Sequence, residues 1–422
     1  MTIQPVRGTK DLFPEDYYFF DKIVKMAESV ARCYGYLSVQ TPIIEHTEVF
    51  QRSLGETSDV VSKEMYSFNT MGGESITLRP EFTAGIMRAV ISGGHTQIMP
   101  QRLFCAGPLF RYDRPQAGRQ RQFHQINFEN IGETAPEADA EMIKIASDIL
   151  EGLGLREYTK LQLNSLGCSE SRALFHVKLK EYLMKYESEL SGDSQKRLHK
   201  NPMRILDSKN ENDQKILENA PVISDYYTAE SKNRFDQLLE MLEVFGIKYV
   251  IDRKLVRGLD YYCHTAFEFT TDKLGAQATV IGGGRYDGLA KIMSKYDLPA
   301  IGFAGGIERL AILYAHINPQ DKATPDKINK HIAVIPAEDL AVKESYKIAS
   351  YLRANNLPSI IYNKGKMGKK IEKAVNSGAI AAIFIGESEI KTRLYKLKNL
   401  ESGMQEEIGY NDLVKSCKLL IS

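Results

Sequence analysis

The chain has 422 residues, 43% of them hydrophobic, which is enough apolar material for two or three domains with a large buried core. Lys plus Arg is 55 against 54 for Asp plus Glu, so the net charge is +1 and any surface for a polyanion has to be local rather than global. The five cysteines (Cys33, Cys105, Cys168, Cys263 and Cys417) are odd in number and widely spaced, which excludes a CxxC site and points to a reducing compartment. No apolar leader opens the sequence and the longest apolar runs, such as residues 379–385, are too short to span a membrane, so the cytoplasm is the expected location.

In chain order, the first element is a helix over residues 14–34. Pro14, Glu15 and Asp16 suit its first turn, Ile23, Val24, Ala27, Val30 and Ala31 share one face, and Gly35 suits its stop. A strand-like run follows at 36–45. Residues 77–85, TLRPEFTAG, set Glu81 among small and apolar neighbours. It is either a helix cap or partner of Arg79, or a carboxylate that holds a ligand ammonium.

Residues 102–131 predict a strand, a long polar loop and an antiparallel strand. Arg111, Arg114, Arg119 and Arg121 lie around that loop. Guanidinium groups are permanently charged and offer forked donors that match phosphate oxygens. Phe123, two residues on, is placed to stack on a base. The same composition fits an ordinary basic hairpin. Residues 137–152 return to helical periodicity, and 169–245 are charged, helical and free of strand pattern, as expected of a helical insertion.

Strands resume at 248–258, 263–271 and 276–283. Arg257 and Asp260 stand among strand formers beside Tyr261 and Tyr262, and a strand arginine is costly unless paired or functional. Gly282, Gly283 and Gly284 permit close approach of backbone to a ligand, although the run is neither GxGxxG nor a P-loop. In AIGFAGGIERLAIL, residues 300–313, glycines lead into a helix starting near Ile307, with Arg309 close to its N-terminus, where anions are favoured; glycine-assisted packing is the plainer reading. Residues 316–330 are polar, with two prolines, and read as a linker. Beyond them strands and helices alternate, which predicts a small domain with a largely parallel sheet. Residues 331–400 hold twelve Lys/Arg against six Asp/Glu, a surplus of +6 that suits either RNA or a solvated helix face. His124 and His264 fall in these segments, but no hydrolytic triad or HExxH motif is present.

Taken together and in this order, the segments resemble the histidyl-tRNA synthetases, a class II aminoacyl-tRNA synthetase family, over nearly the whole chain. VRGTKDLFP resembles the family's opening. Residues 14–42 resemble motif 1, FRYDRPQAGRQRQFHQ motif 2 and GFAGGIERL motif 3. LVRGLDYY and GGGRYDG resemble segments of the histidine branch. The resemblance implies an α+β fold: a catalytic domain over 1–320 on a six-stranded antiparallel sheet, with a helical insertion at about 170–225. A linker at 321–330 and an α/β anticodon-binding domain over 331–422 would follow. It implies ATP and Mg²⁺, L-histidine and tRNA(His) as partners, and a homodimer formed through motif 1.

Site roles follow from the same resemblance. Arg111 would grip the α-phosphate and the substrate carboxylate, Arg119 would approach the γ-phosphate, and Phe123 and Arg309 would sandwich adenine. Glu81, Thr83 and Gln125 would bind the histidine amino group, and Glu129 and Tyr262 the imidazole. Tyr261 and Tyr286 would line the pocket, and Arg257 would offset charge at the α-phosphate. Asp113 stands where the family usually has Glu, one methylene shorter, which puts its contact with the adenine amino group in question. Two rivals remain: a catalytically silent regulatory relative from histidine biosynthesis, and a plain RNA-binding module.

Overall fold

The computed structural model describes residues 2–55, 60–113, 119–257, 261–275 and 279–421. Arg114 and Asp260, singled out above, lie outside these. The chain divides into two compact units. The first holds Phe20–Pro319 with the residues up to Asp11; the second holds Leu12–Phe19 with the segment from Gln320 onward. Leu12–Phe19 joins the second unit, where the Tyr18 hydroxyl donates to Asp321 Oδ1 at 3.1 Å. The expected linker also contains a helical turn at Pro325–Ile328.

Helix α1, Pro14–Cys33, buries Ile23, Ala27 and Ala31 and ends before Gly35, whose φ of 72° suits glycine. The run at 36–45 is not one strand. It yields β1, Leu37–Ser38, and β2, Ile44–His46, with irregular chain across Pro42. Proline lacks the N–H a continuous ladder needs. Helix α2, Thr47–Leu54, precedes β3, Tyr66–Asn69, and β4, Ser75–Leu78, which form a three-stranded sheet with β2.

The main sheet is built on β5, Gln101–Phe110, β6, Gln122–Ile131, β7, Lys160–Ser165, β8, Tyr249–Ile251, β9, Cys263–Thr270, β10, Thr279–Arg285, and β11, Ala300–Gly306. Its order is β1-β5-β6-β11-β10-β9-β7-β8. The six inner strands are all antiparallel, as expected, and the short β1 and β8 add parallel edges that the sequence did not suggest.

The two sheet faces differ in side-chain size, because side chains alternate and paired residues share a face. One face carries Phe104, Phe128, Phe303 and Phe267. Phe128 stacks on Phe303 at 4.9 Å, and Phe104 lies 4.9 Å from Phe128. Helices α3, Thr83–Ser92, and α4, Pro136–Gly152, lie in this unit, as do four helices of the insertion region: α5, Ser169–Leu183, α6, Gly192–Lys200, α7, Glu211–Leu217, and α8, Ala229–Val244. Two more, α9, Leu289–Met293, and α10, Ile307–Ile317, flank β11. His124, on the aromatic face, joins β6 to α10: its backbone N–H donates to the Glu308 carboxylate at 3.0 Å and its Nδ1 lies 2.8 Å from Oε1.

The second unit contains a five-stranded sheet of order β13-β12-β14-β15-β16: β12, His331–Pro336, β13, Ser359–Ile361, β14, Ala379–Ile385, β15, Leu394–Asn399, and β16, Gln405–Gly409. Only β12, β13 and β14 are parallel. The last two strands run antiparallel, so the sheet is mixed rather than largely parallel. Ile332, Val334 and Ile383 face one core, and Ala333, Ile335 and Ala382 the other, so helices cover both faces.

Candidate active site

The face of the main sheet opposite the phenylalanines is floored by residues with little or no side chain. Gly302, Ala304 and Gly306 on β11 pair with Glu129, Asn127 and Gln125 on β6. On the other side, Gly302 and Ala304 pair with Gly284 and Gly282 on β10, which in turn face Ala266 and Glu268 on β9. The result is a trough two strands wide, walled by β6 on one side and by β9 on the other.

Three of its glycines each leave space that a site side chain fills. A Cβ on Gly302 would collide with Glu129 Oε2. One on Gly282 would lie 2.7 Å from Arg257 Nη1, and one on Gly284 3.1 Å from Tyr262 Cδ1. The neighbouring Gly283 serves the opposite face, where its missing Cβ makes room for Phe303 at 2.5 Å.

At one end of the trough lies a cluster of buried polar side chains. Glu129 is 1% exposed, and its carboxyl is pushed up to about 8 by burial, against the pull of Thr83 and Tyr286. The Thr83 hydroxyl donates to Oε1 at 2.5 Å and the Tyr286 hydroxyl to Oε2. Glu81 accepts from the Thr83 and Ala84 backbone N–H groups at 2.6 and 2.8 Å, so it caps α3. Burial raises its carboxyl too, partly offset by those N–H groups and by Arg111. The cap reading of Glu81 is therefore realised, while Arg79 turns away to the Pro108 and Thr41 carbonyls at 3.0 and 2.7 Å. Tyr261, Tyr262 and Tyr286 pack together, with Tyr261 4.7 Å from Tyr262 and 5.6 Å from Tyr286 between ring centroids. Arg257 pairs with Glu268 Oε1 and stands 5.3 Å from the Tyr262 ring centroid, and Thr279 donates to Glu268 Oε2 at 2.7 Å.

The other end gathers positive charge. Arg111 lies one residue past β5 rather than within the strand. Its Nε donates to the Pro80 carbonyl at 2.9 Å and its guanidinium sits 5.3 Å from the Phe123 ring centroid. Arg309, in the first turn of α10, donates to the Thr279 carbonyl at 2.8 Å. Burial lowers its proton affinity, and the charges of Arg119 and Arg111 lower it further. Arg119 Nη1 is 3.4 Å from Asp113 Oδ2. Three guanidinium groups thus converge where like charges repel, which a bound polyanion relieves.

All thirteen residues expected at the site lie in the first unit. Glu81, Thr83, Glu129, Tyr261, Tyr262 and Tyr286 form the pocket, with Arg257 beside it. Arg111, Asp113, Arg119, Phe123 and Arg309 form the charged end. Gln125 points from β6 into the trough between Phe123 and Glu129. Sequence reading missed Glu268, although it is the only acid in the strand CHTAFEFT. It also missed the part played by Gly8, whose carbonyl accepts from the Arg121 N–H at 2.7 Å and braces the start of β6.

This sheet, with its arginine-bearing segments on one glycine-floored face, defines a class II aminoacyl-tRNA synthetase core. A family model described as Histidyl-tRNA synthetase matches residues 8–310, and one described as Anticodon binding domain matches residues 331–419. The histidine–tRNA ligase of Rickettsia bellii (strain RML369-C) is 54% identical over 419 residues, spanning 99% of this chain and 98% of its own. The crystal structure of apo S. aureus histidyl-tRNA synthetase superposes with a TM-score of 0.82 at 33% identity, covering 99% of this chain and 100% of that one. An ATP phosphoribosyltransferase regulatory subunit/histidyl-tRNA synthetase from Bacillus halodurans shares the fold, with a TM-score of 0.64 at 21% identity, over 92% of this chain and 99% of its own. The chain belongs to the histidyl-tRNA synthetase family.

Proposed function

We propose that the chain is a histidine–tRNA ligase. It joins L-histidine to AMP with release of pyrophosphate, then transfers the histidyl group to the terminal adenosine of tRNA(His). The observation that carries this reading is the junction of two chemistries on one sheet face: three converging guanidiniums at one end, and a buried carboxyl with three tyrosines at the other. A histidine carboxylate oxygen attacks the α-phosphorus and pyrophosphate leaves. The protein supplies no nucleophile and needs none. Its task is positioning, together with positive charge where negative charge accumulates. Arg111 and Arg257 hold the α-phosphate and carboxylate from opposite sides of the trough, and Arg119 meets the γ-phosphate. Phe123 and Arg309 take adenine, Arg111 giving up its place over the Phe123 ring to do so, and Asp113 lies near the adenine edge.

In the pocket, Glu81, Thr83 and Gln125 take the α-amino group. Glu129 and Tyr262 read the imidazole while Tyr261 and Tyr286 close around it. A non-polar side chain of similar size would leave these buried groups unpaired, a penalty that can reach ~10⁴-fold. Mg²⁺ would arrive on the nucleotide: no cluster of three or more His, Cys, Asp or Glu suited to a metal occurs among the described residues, and Mg²⁺ is held largely through substrate phosphates. Asp113 and Glu268 are the carboxylates that act on Arg309 and would stand nearest such an ion, which would neutralise phosphate charge.

The catalytic domain would span residues 1–320, and residues 331–422 would bind the anticodon stem. Pairing of two chains through residues 14–42 is supported by Leu37, which is 70% exposed on the edge strand β1. Sedimentation equilibrium at micromolar concentration should return twice the chain mass, and a monomer would contradict the pairing. No described helix is long and apolar enough to cross a membrane, and a cytoplasmic setting is consistent with five unpaired cysteines. The test of the whole reaction is charging of a tRNA(His) transcript with labelled histidine. Stable incorporation at the 3′ end is expected. Histidine binding without adenylate or charged tRNA would instead support the regulatory reading.

A further inference from the structure

The insertion leaves the sheet at the end of β7, and its first residues grip the start of the strand that follows the tyrosine pair. Leu166 N–H donates to the His264 carbonyl at 2.6 Å, and His264 N–H donates to the Gly167 carbonyl at 2.9 Å. His264 has a φ of 45°, uncommon for a residue with a side chain. It sits in a bulge of β9: Gly284 pairs with Ala266, but the next residue, Arg285, pairs with Cys263. Bulges beside active sites re-aim the neighbouring side chains, and Tyr262 and Tyr261 lie two and three residues before this one. One turn into α5, Arg172 Nη1 donates to the Tyr262 carbonyl at 2.6 Å. The base of the insertion is itself tied together. Thr228 N–H donates to Ser171 Oγ at 3.1 Å and Cys168 N–H to Ser231 Oγ at 3.0 Å, so the starts of α5 and α8 hold one another.

The geometry points to Arg172 as a positioning residue for amino-acid selection: the base of the insertion clamps the β9 bulge and so fixes Tyr261 and Tyr262 against the pocket. A left-handed backbone residue persists only where its surroundings over-determine it. Arg172 is the charged donor among those constraints. Without it, the bulge can relax toward the regular ladder and carry the Tyr262 ring away from Arg257 and from the notch that Gly284 provides. The nucleotide end hangs on other elements, the β5–β6 connection and α10, and does not share this constraint. By the same route, anything that reseats the insertion is felt in the pocket. The inference rests on the assignment of that pocket to histidine.

The test is ATP–pyrophosphate exchange by the full-length protein and its Arg172→Gln, Arg172→Ala and Arg172→Lys variants, with histidine and ATP varied in turn. Gln and Ala should raise KM for histidine about tenfold, the scale of one lost charge-assisted hydrogen bond, while KM for ATP stays within about twofold. Lys, which still offers a charged donor, should recover part of the loss. Asp213→Asn, which loosens the interior of the insertion away from the bulge, should leave KM for histidine unchanged. The clamp is refuted if Arg172→Gln leaves KM for histidine unchanged, or raises both KM values equally. Should the alanine variant fail to fold, the Gln and Lys variants decide the matter. Glu129→Gln separates the two ideas: if it weakens histidine use and Arg172→Gln does not, only the clamp falls; if both are silent, the pocket assignment falls and takes the clamp with it.

Discussion

Glu129 is the residue on which most of the proposed pocket chemistry turns. It shares its buried carboxyl with the Thr83 and Tyr286 hydroxyls, and burial carries its proton affinity up to about 8 from an ordinary value near 4.5. A carboxyl raised in the folded state binds a proton that the unfolded chain has already released. Stability of the ligand-free protein should therefore fall as pH rises between about 4.5 and about 8, by up to ~1.4 kcal/mol per pH unit, and level off above. Denaturant unfolding of wild type and Glu129→Gln across that range checks the sign: the difference between them should shrink or reverse with pH, and parallel curves would contradict it. The glycine opposite is just as constrained. Gly302→Ala places a methyl where Glu129 Oε2 lies, so we expect loss of histidine-dependent exchange of at least ~10²-fold in a protein that still folds. Wild-type KM for histidine in that variant would show that the carboxylate does not need its present position. Neither effect was legible in the sequence. Glu129 was placed by resemblance to a family, and the match of Gly302 to Glu129 depends on strand register, which a run of glycines does not reveal.

Among the elements, the strands and long helices followed their periodicity, and the misses have local causes. The helices at 14–33, 136–152 and 307–317 bury apolar faces at 3.6-residue spacing, which reads directly from sequence. Strand β15, LYKLKN, alternates as a strand should, but the sequence reading assigned no element there. The edge strands β1 and β8 fall inside the strand runs expected at 36–45 and 248–258, but they have only two and three residues, too few to show their length or their parallel pairing in sequence. The insertion showed its helices but not its interior, where Asp213 accepts from the Ser191, Ser194 and Ser208 hydroxyls at 2.7, 2.6 and 2.6 Å. Beneath the site, α4 is fastened to β10 by an ion pair of two fully buried side chains, Asp139 and Arg285, with Arg285 Nε 2.9 Å from Oδ1. Removing Asp139 leaves the buried Arg285 with Asp287, whose Oδ1 lies 2.9 Å from its Nη1, as its remaining carboxylate. Asp139→Ala should cost about 3–5 kcal/mol, while replacing both with apolar residues of similar volume should cost much less. Equal losses for the single and double variants, measured by denaturant unfolding, would mean that the pair's packing matters rather than its charge.

At the scale of the molecule, a nearly neutral chain handles two polyanions by concentrating charge locally. The first unit does so with arginines around a trough. In the second, the surplus read from residues 331–400 is only partly a surface: Lys370 is buried and donates to the Pro336 carbonyl at 2.7 Å, and Lys391 and Lys396 pair with Glu387 and Glu389. Lys364, Lys366 and Lys369 remain exposed around the start of the helix Met367–Asn376, and Lys373 in its last turn. Composition could give the sum of these charges but not which of them face solvent. In the proposed reaction, the two ends of one glycine-floored trough unite histidine with a nucleotide. ATP–pyrophosphate exchange without tRNA, run with each of the common amino acids on wild type and Arg257→Ala, tests it most directly. Exchange with histidine alone is expected, lowered by about 10²-fold or more in the variant if Arg257 offsets charge at the α-phosphate as proposed. Exchange with another amino acid, or none in folded protein that binds histidine, would contradict it.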